Sequence, residues 1–186
     1  MKLVKSIFTY SAANIINAAL PFLLLPILTA YLSPEDYGLL SMILMLQTLV
    51  LPLVLVNFYG LVIIEYSKMS KERFSRFISS ILVIPICGFI AIEFILYIFA
   101  ELISSIFKIP VFWVQTAPVF ILFQALPLLL SAILLAEKKS LTYSSFKIGL
   151  TLSNILFSIL FVVFLKFGLE GRLWGIFLSY VLFSIV

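Results

Sequence analysis

Five polar side chains, Tyr143, Lys147, Thr151, Asn154 and Ser158, stand at positions i, i+4, i+8, i+11 and i+15 of one stretch. Those steps keep them on a single face of a helix. The residues around them are apolar, so the stripe has to face protein or a wet cavity, because lipid offers such groups no partner. Asn14 and Asn17, with Tyr10 before them and Pro21 after, repeat the pattern on a shorter scale near the N-terminus, and Gln115, Gln124 and Ser131 do so near the middle. An isolated Ser, Thr or Asn of this kind reads best as an interhelical hydrogen bond. The longer stripe includes a lysine and reads as a cavity wall. Glu93 is a second ionisable group inside an apolar run, about seven residues from its end and so roughly 10 Å deep by helical rise. A carboxylate there has to be protonated, paired or facing water, which makes it a candidate ion-coupling site. The set of catalytic residues is empty. There is no histidine, and neither a phosphate-cradling glycine loop, a metal-ligand cluster nor a nucleophile–base pair occurs, so no cofactor or metal is expected.

The elements that position these groups are written in the composition. Hydrophobic residues make up 64% and charged residues 11%, against about 25% charged in ordinary soluble domains. The fold class is an all-α integral membrane protein. The apolar runs predict spans over residues 6–32, 34–64, 77–100, 112–136 and 143–167, each long enough for the roughly 20 helical residues that cross a bilayer core. A basic loop follows the second span, the stretch ELISSIFKIP is a loop before the fourth, and Gly168 is the C-cap of the fifth. Residues 173–186 begin a sixth span but rise only about 21 Å, so the sixth helix is expected to be truncated and the chain to be the front part of a longer protein. Pro21, Pro26, Pro52, Pro85, Pro118 and Pro127 lie within spans, where proline tends to kink a helix. Ser33 followed by Pro34, Glu35 and Asp36 is a helix start. Gly171 and Gly175 form a GxxxG close-packing face. Cys87, the single cysteine, is a small packing residue.

The loop charges assign the sides. With the N-terminus in the cytoplasm, Lys2, Lys5, Lys68, Lys71, Arg73, Arg76, Lys138, Lys139 and Lys147 are inside, and only Lys108, Lys166 and Arg172 are outside. The positive-inside rule favours that orientation, and Trp113 and Trp174 then fall at outer span ends, where an aromatic belt sits. The net charge of +4 is therefore a topology signal, and nucleic acid is not an expected partner.

The wording NAALPFLLLPILTAYLSPEDYGLLSM resembles the first hairpin of the Wzx-type polysaccharide flippases, within the multidrug/oligosaccharidyl-lipid/polysaccharide exporter superfamily. The later AEKKSLTYSSFKIGLTLSNILFSILFVVFLKFGLEGRLWG is similar to their spans four to six. The resemblance implies a six-transmembrane-helix bundle, one lobe of a two-lobe MATE-like transporter whose C-terminal lobe is absent here. It implies a bacterial cytoplasmic membrane location and a flippase, not an enzyme. The cargo would be an undecaprenyl-diphosphate-linked oligosaccharide, moved by alternating access and coupled to a cation gradient. A polysaccharide polymerase and glycosyltransferases would be its partners beside the bilayer and the missing lobe. Asn14, Asn17, Lys147, Thr151, Asn154 and Ser158 become candidates for the substrate cavity. The alternatives are a multidrug or peptidoglycan-precursor exporter of the same superfamily, a membrane-embedded transferase on the same lipid carrier, and a non-transporting assembly subunit. If Glu93 couples an ion, Glu93→Gln removes the dependence of transport on the ion gradient; transport measured in vesicles that keeps its full gradient dependence excludes that role.

Overall fold

A computed structural model describes the backbone of residues 2–55 and 58–185, and the side chains of residues 10–12, 14–55, 59–70, 72–80 and 82–185. The side chains of Lys2, Lys5 and Lys71, counted above as cytoplasmic charges, lie outside the described residues. Helices follow one another as α1 (Lys2–Tyr31), α2 (Pro34–Leu55), α3 (Phe58–Tyr66), α4 (Lys71–Ile81), α5 (Val83–Ile98), α6 (Ala100–Phe107), α7 (Val111–Ala136), α8 (Ser140–Ile159), a π-helical turn (Leu160–Phe164) and α9 (Gly168–Ile185). No strand occurs among the described residues. Among the described residues, five stretches are long and apolar enough to cross a membrane: Tyr10–Tyr31, Pro34–Leu55, Glu72–Ile98, Val111–Ala136 and Ser140–Phe164. The protein is a helical, multi-pass membrane protein. α9 falls outside that set because its first turn, with Glu170 and Arg172, dilutes an otherwise apolar helix.

The start of α2 follows directly from its residues. The Asp36 amide donates to Ser33 Oγ and the Ser33 amide donates to Asp36 Oδ2, both at 3.1 Å. This reciprocal cap satisfies two backbone donors that the helix itself cannot, with aspartate in the place glutamate often takes. α1 runs through Pro21 and Pro26 without interruption. Four expectations are corrected. The basic stretch before the third span is helical from Lys71 rather than a loop throughout: α4 begins there behind the N-cap Ser70 and passes through Leu82 into α5. The expected loop ELISSIFKIP is instead helix α6, whose Leu102, Ile103, Ile106 and Phe107 repeat at helical spacing before Lys108 ends it in a left-handed conformation, φ 53°. Trp113 is only 5% exposed and sits edge-on to Phe112 and Phe120, so it is core rather than belt, whereas Trp174 is 38% exposed. Cys87 is exposed rather than packed. The expected second span is covered by α2 and α3, with residues 56–57 between them outside the described residues. Gly168 has the positive φ of a cap, 55°, and is also the first residue of α9.

The chain divides into two compact units. One comprises residues 1–37 and 133–186, in which α8 packs against both α1 and α9. Its α8–α9 contact is a backbone contact. A Cβ on Gly171 would lie 2.9 Å from the Phe161 carbonyl, and one on Gly175 would lie 2.8 Å from the Ser158 nitrogen. The GxxxG pair is thus a close-packing face, since any side chain there would wedge the helices apart. Leu24 and Leu28 of α1 and Leu32 just beyond its end close the other side against Val162, with Tyr37, Ile155 and Ile159 beside them.

The other unit comprises residues 38–132. Its α7 buries Trp113, Val114, Ala117, Phe120, Ile121 and Ala125 along one helical face. Ile43 and Val54 of α2 and Val62 of α3 are fully buried as well. Gly88 of α5 is a second place of close approach, its absent Cβ standing 2.7 Å from the Val54 carbonyl oxygen.

Two glycines therefore make opposite predictions. Gly175→Ala costs roughly 1–3 kcal/mol, because a methyl group must displace backbone. Gly38→Ala, in an open helical position with nothing within 4 Å of the new Cβ, is neutral or stabilising by up to about 1 kcal/mol. Thermal unfolding of the detergent-solubilised variants measures both.

Candidate functional site: a cationic cavity between α1, α8 and α9

Four of the five residues of the α8 stripe, Tyr143, Lys147, Thr151 and Asn154, line a cavity. This cavity, of about 360 Å³, is lined by Asn14, Asn17, Pro21 and Leu24 of α1, by Tyr143, Lys147, Leu150, Thr151, Asn154 and Ile155 of α8, and by Arg172 and Tyr180 of α9. All of these residues belong to the first unit. The spacing explains the arrangement. Positions 143, 147, 150/151 and 154 advance by three or four residues, so one face of α8 turns toward the gap that α1 and α9 leave open. Tyr10 of α1 meets Tyr143 edge-to-face, with ring centroids 5.3 Å apart, at one end of the same helix pair.

Two hydrogen-bonded groups cross between helices here. Thr151 Oγ1 stands 2.8 Å from Asn17 Oδ1, to which it donates, and 3.1 Å from the Lys147 carbonyl. Arg172 Nη1 donates to Asn154 Oδ1 at 2.6 Å and to Ser158 Oγ. Ser158 can accept that bond because its own hydroxyl proton goes to the Asn154 carbonyl, 2.6 Å away. Ser158 is completely buried behind Arg172 and does not line the cavity. Elsewhere, Thr48, Thr116 and Ser131 bond back to carbonyls of their own helices, the ordinary behaviour of hydroxyls in apolar helices.

The donors exceed the acceptors. Asn17 Nδ2, Arg172 Nε and the nearby Tyr10 hydroxyl are buried without a hydrogen-bond partner among the described residues. Lys147 and Arg172 bring positive charge, and no Asp or Glu is among the lining residues. An unmet buried donor costs about 1–3 kcal/mol, and more next to charge. The site can lower that cost by admitting a ligand rich in acceptors, and it favours an anionic one. Arg is suited to planar, two-pronged contacts with phosphate or carboxylate oxygens, and Lys to a point contact.

Of the residues singled out from the sequence, Asn14, Asn17, Lys147, Thr151 and Asn154 meet at this cavity and Ser158 supports it from behind. Glu93 does not line it. It lies on α5 in the other unit, with Oε2 buried and without a hydrogen-bond partner among the described residues. Arg172 and Tyr180 are the residues that sequence reasoning missed. Arg172 reads as a loop charge after span five, but it lies between Gly171 and Gly175, and a cation flanked by two close-packing glycines has to sit at the helix contact. A second cavity, of about 380 Å³, lies in the other unit and is bounded by apolar residues such as Leu55, Pro85, Ile86, Phe123 and Leu129. It offers a polar ligand nothing.

No protein-family model, curated protein or solved structure matches the chain.

The network makes a prediction about stability. Asn154→Leu strips the guanidinium of an acceptor and costs about 1.5–3 kcal/mol, the range for hydrogen bonds to charged groups. Asn14→Leu, at an exposed position, stays within about 0.5 kcal/mol of the parent. Denaturation in detergent compares the two.

Proposed function

We propose that the protein is a flippase of the Wzx type, carrying a diphosphate-linked oligosaccharide on a polyprenyl lipid from the cytoplasmic to the outer face of a bacterial cytoplasmic membrane. The observation that carries this reading is the cavity's one-sided chemistry: Lys147 and Arg172 with the amide donors of Asn14 and Asn17, and no carboxylate on the wall. A diphosphate and its sugar hydroxyls present many acceptors and net negative charge, which is what such a wall lacks. The hydrocarbon tail needs no cavity, because the surrounding bilayer dissolves it. The resemblance of the SPEDYG hairpin and of the GLEGR turn to the family supports the same cargo, and with it alternating access and a second lobe.

A peptidoglycan-precursor exporter is the second reading, favoured by one specific observation. Such a carrier is expected to hold cavity arginines, and Arg172 is one. A multidrug exporter is disfavoured, since an acidic wall would be expected for cationic drugs. A transferase would need a base or metal-binding acids, and no Asp or Glu lines the cavity; a passive assembly subunit leaves the unmet donors without a role.

Deleting the full-length gene should cause lipid-linked repeat units to accumulate on the cytoplasmic face and surface polysaccharide to be lost. Extracted lipid intermediates, assayed for sidedness with a membrane-impermeant glycosidase, read this out. Unchanged polysaccharide overturns the reading; arrested cell-wall synthesis in its place selects the peptidoglycan alternative. Within the cavity, Lys147→Gln lowers transport by about tenfold or more, the loss expected from one charge-assisted contact, at unchanged protein level.

A further inference from the structure

The basic segment between the second and third spans has a structure that a topology signal does not require. Behind the N-cap Ser70, α4 is amphipathic: Phe74, Phe77 and Ile78 lie along one side, while Glu72, Arg73, Ser75, Arg76, Ser79 and Ser80 are exposed. The Ser70 hydroxyl caps the helix at the Arg73 amide, 3.5 Å away. Phe74 is buried and meets Tyr66 edge-to-face at 4.8 Å, so the helix is seated against α3 by one aromatic pair. Phe77 is only half-buried.

Arg73, Arg76, Phe77 and Ser80 advance by i, i+3, i+4 and i+7 and therefore share a face. With Lys68 and Met69 they line a wide, open depression. Lys68 is neutralised by Glu65, Nζ to Oε1 at 2.6 Å. Neither the Arg73 nor the Arg76 guanidinium has a protein acceptor among the described residues. The face thus offers two unpaired cations beside an aromatic and a thioether side chain, while the Ser80 hydroxyl donates to the Arg76 carbonyl of its own helix, 2.9 Å away.

Its depth in the membrane follows from length. The apolar stretch that contains α4 and α5 is 27 residues, Glu72–Ile98, whereas about 20 suffice for the hydrocarbon. Counting about 20 residues back from Ile98 puts the hydrocarbon edge near Ser79, one to two turns beyond which lie Arg76 and Arg73. These guanidiniums stand at headgroup level, and Phe77 stands at the boundary of the acyl chains.

We propose that this face of α4 is a binding site for an anionic phospholipid of the adjoining leaflet. Arg73 and Arg76 hold the headgroup phosphate, and Phe77 covers the first part of an acyl chain. A basic, partly apolar helix face at the interface is the kind of surface that recognises anionic lipid. The site is independent of the cargo cavity, whose lining residues come from the other unit.

The test is retention of phosphatidylglycerol by the full chain in nanodiscs or zwitterionic detergent, titrated against phosphatidylcholine and read by native mass spectrometry. Phosphatidylglycerol is expected to be retained selectively. The pair Arg73→Gln with Arg76→Gln should weaken it by about thirtyfold, about a factor of five for each cation. Arg73→Lys with Arg76→Lys retains most of the binding, which separates loss of charge from loss of fold. Raising the salt concentration releases the lipid from the parent protein, and this readout stands even where a variant fails to fold. The pair Lys138→Gln with Lys139→Gln, in another basic loop, should leave retention within about twofold. Three results overturn the site: equal retention of the two lipids, an equal loss in the Lys138/Lys139 pair, which would mean diffuse charge attraction, and displacement of the lipid by inorganic phosphate, which would mean a soluble anion is the ligand.

Discussion

The contact between α8 and α9 is made at backbone distance, and the cavity depends on it. Gly171 and Gly175 let α9 lie directly on Phe161 and Ser158. Arg172, between them, then has nowhere to extend except along α8, where Asn154 and Ser158 receive it. Were the helices a side chain further apart, the guanidinium would reach neither acceptor and would turn to solvent or headgroups. In an apolar medium helices gain little from hydrophobic attraction, so close packing and interhelical hydrogen bonds have to hold them. Here both act within the same turn of α9.

The same contact lies beside the π-helical turn Leu160–Phe164. A π turn interrupts the regular ladder and is often found at functional positions. In this chain it is where α8 ends and where the Phe161 carbonyl faces the missing Cβ of Gly171. Val162 of the turn is buried against Leu24 and Leu28 of α1 and Leu32 just beyond it. The irregular segment is therefore clamped from both sides, which gives the wall behind Asn154 and Ser158 a defined geometry.

The polar groups sort by what they bond to. Where a hydroxyl returns to its own helix, as Thr116 does to the Phe112 carbonyl, it satisfies itself and says nothing about function. Where a side chain crosses to another helix and still leaves donors unmet, as Asn17 and Arg172 do, the protein has kept an unfavourable arrangement that a ligand would relieve. That distinction separates the α8 stripe from the lone polar residues of α7, and spacing alone could only suggest it.

Periodicity and charge spacing were sufficient for the helices, the capped start at Ser33–Asp36, the glycine face of α9 and the polar stripe of α8, because each depends on residues within a few turns of one another. The sequence did not disclose that Trp113 is core, that ELISSIFKIP is a helix, or that Arg172 points inward. The first and last depend on which neighbour stands opposite, which packing between helices decides; α6 instead carries a local signal, Leu102, Ile103, Ile106 and Phe107 at helical spacing, in a run too short to cross a bilayer. The cavity is the clearest case. Asn17 and Thr151 were both visible as polar residues in apolar helices, but their meeting, and the donors left over from it, exist only once α1 is laid against α8.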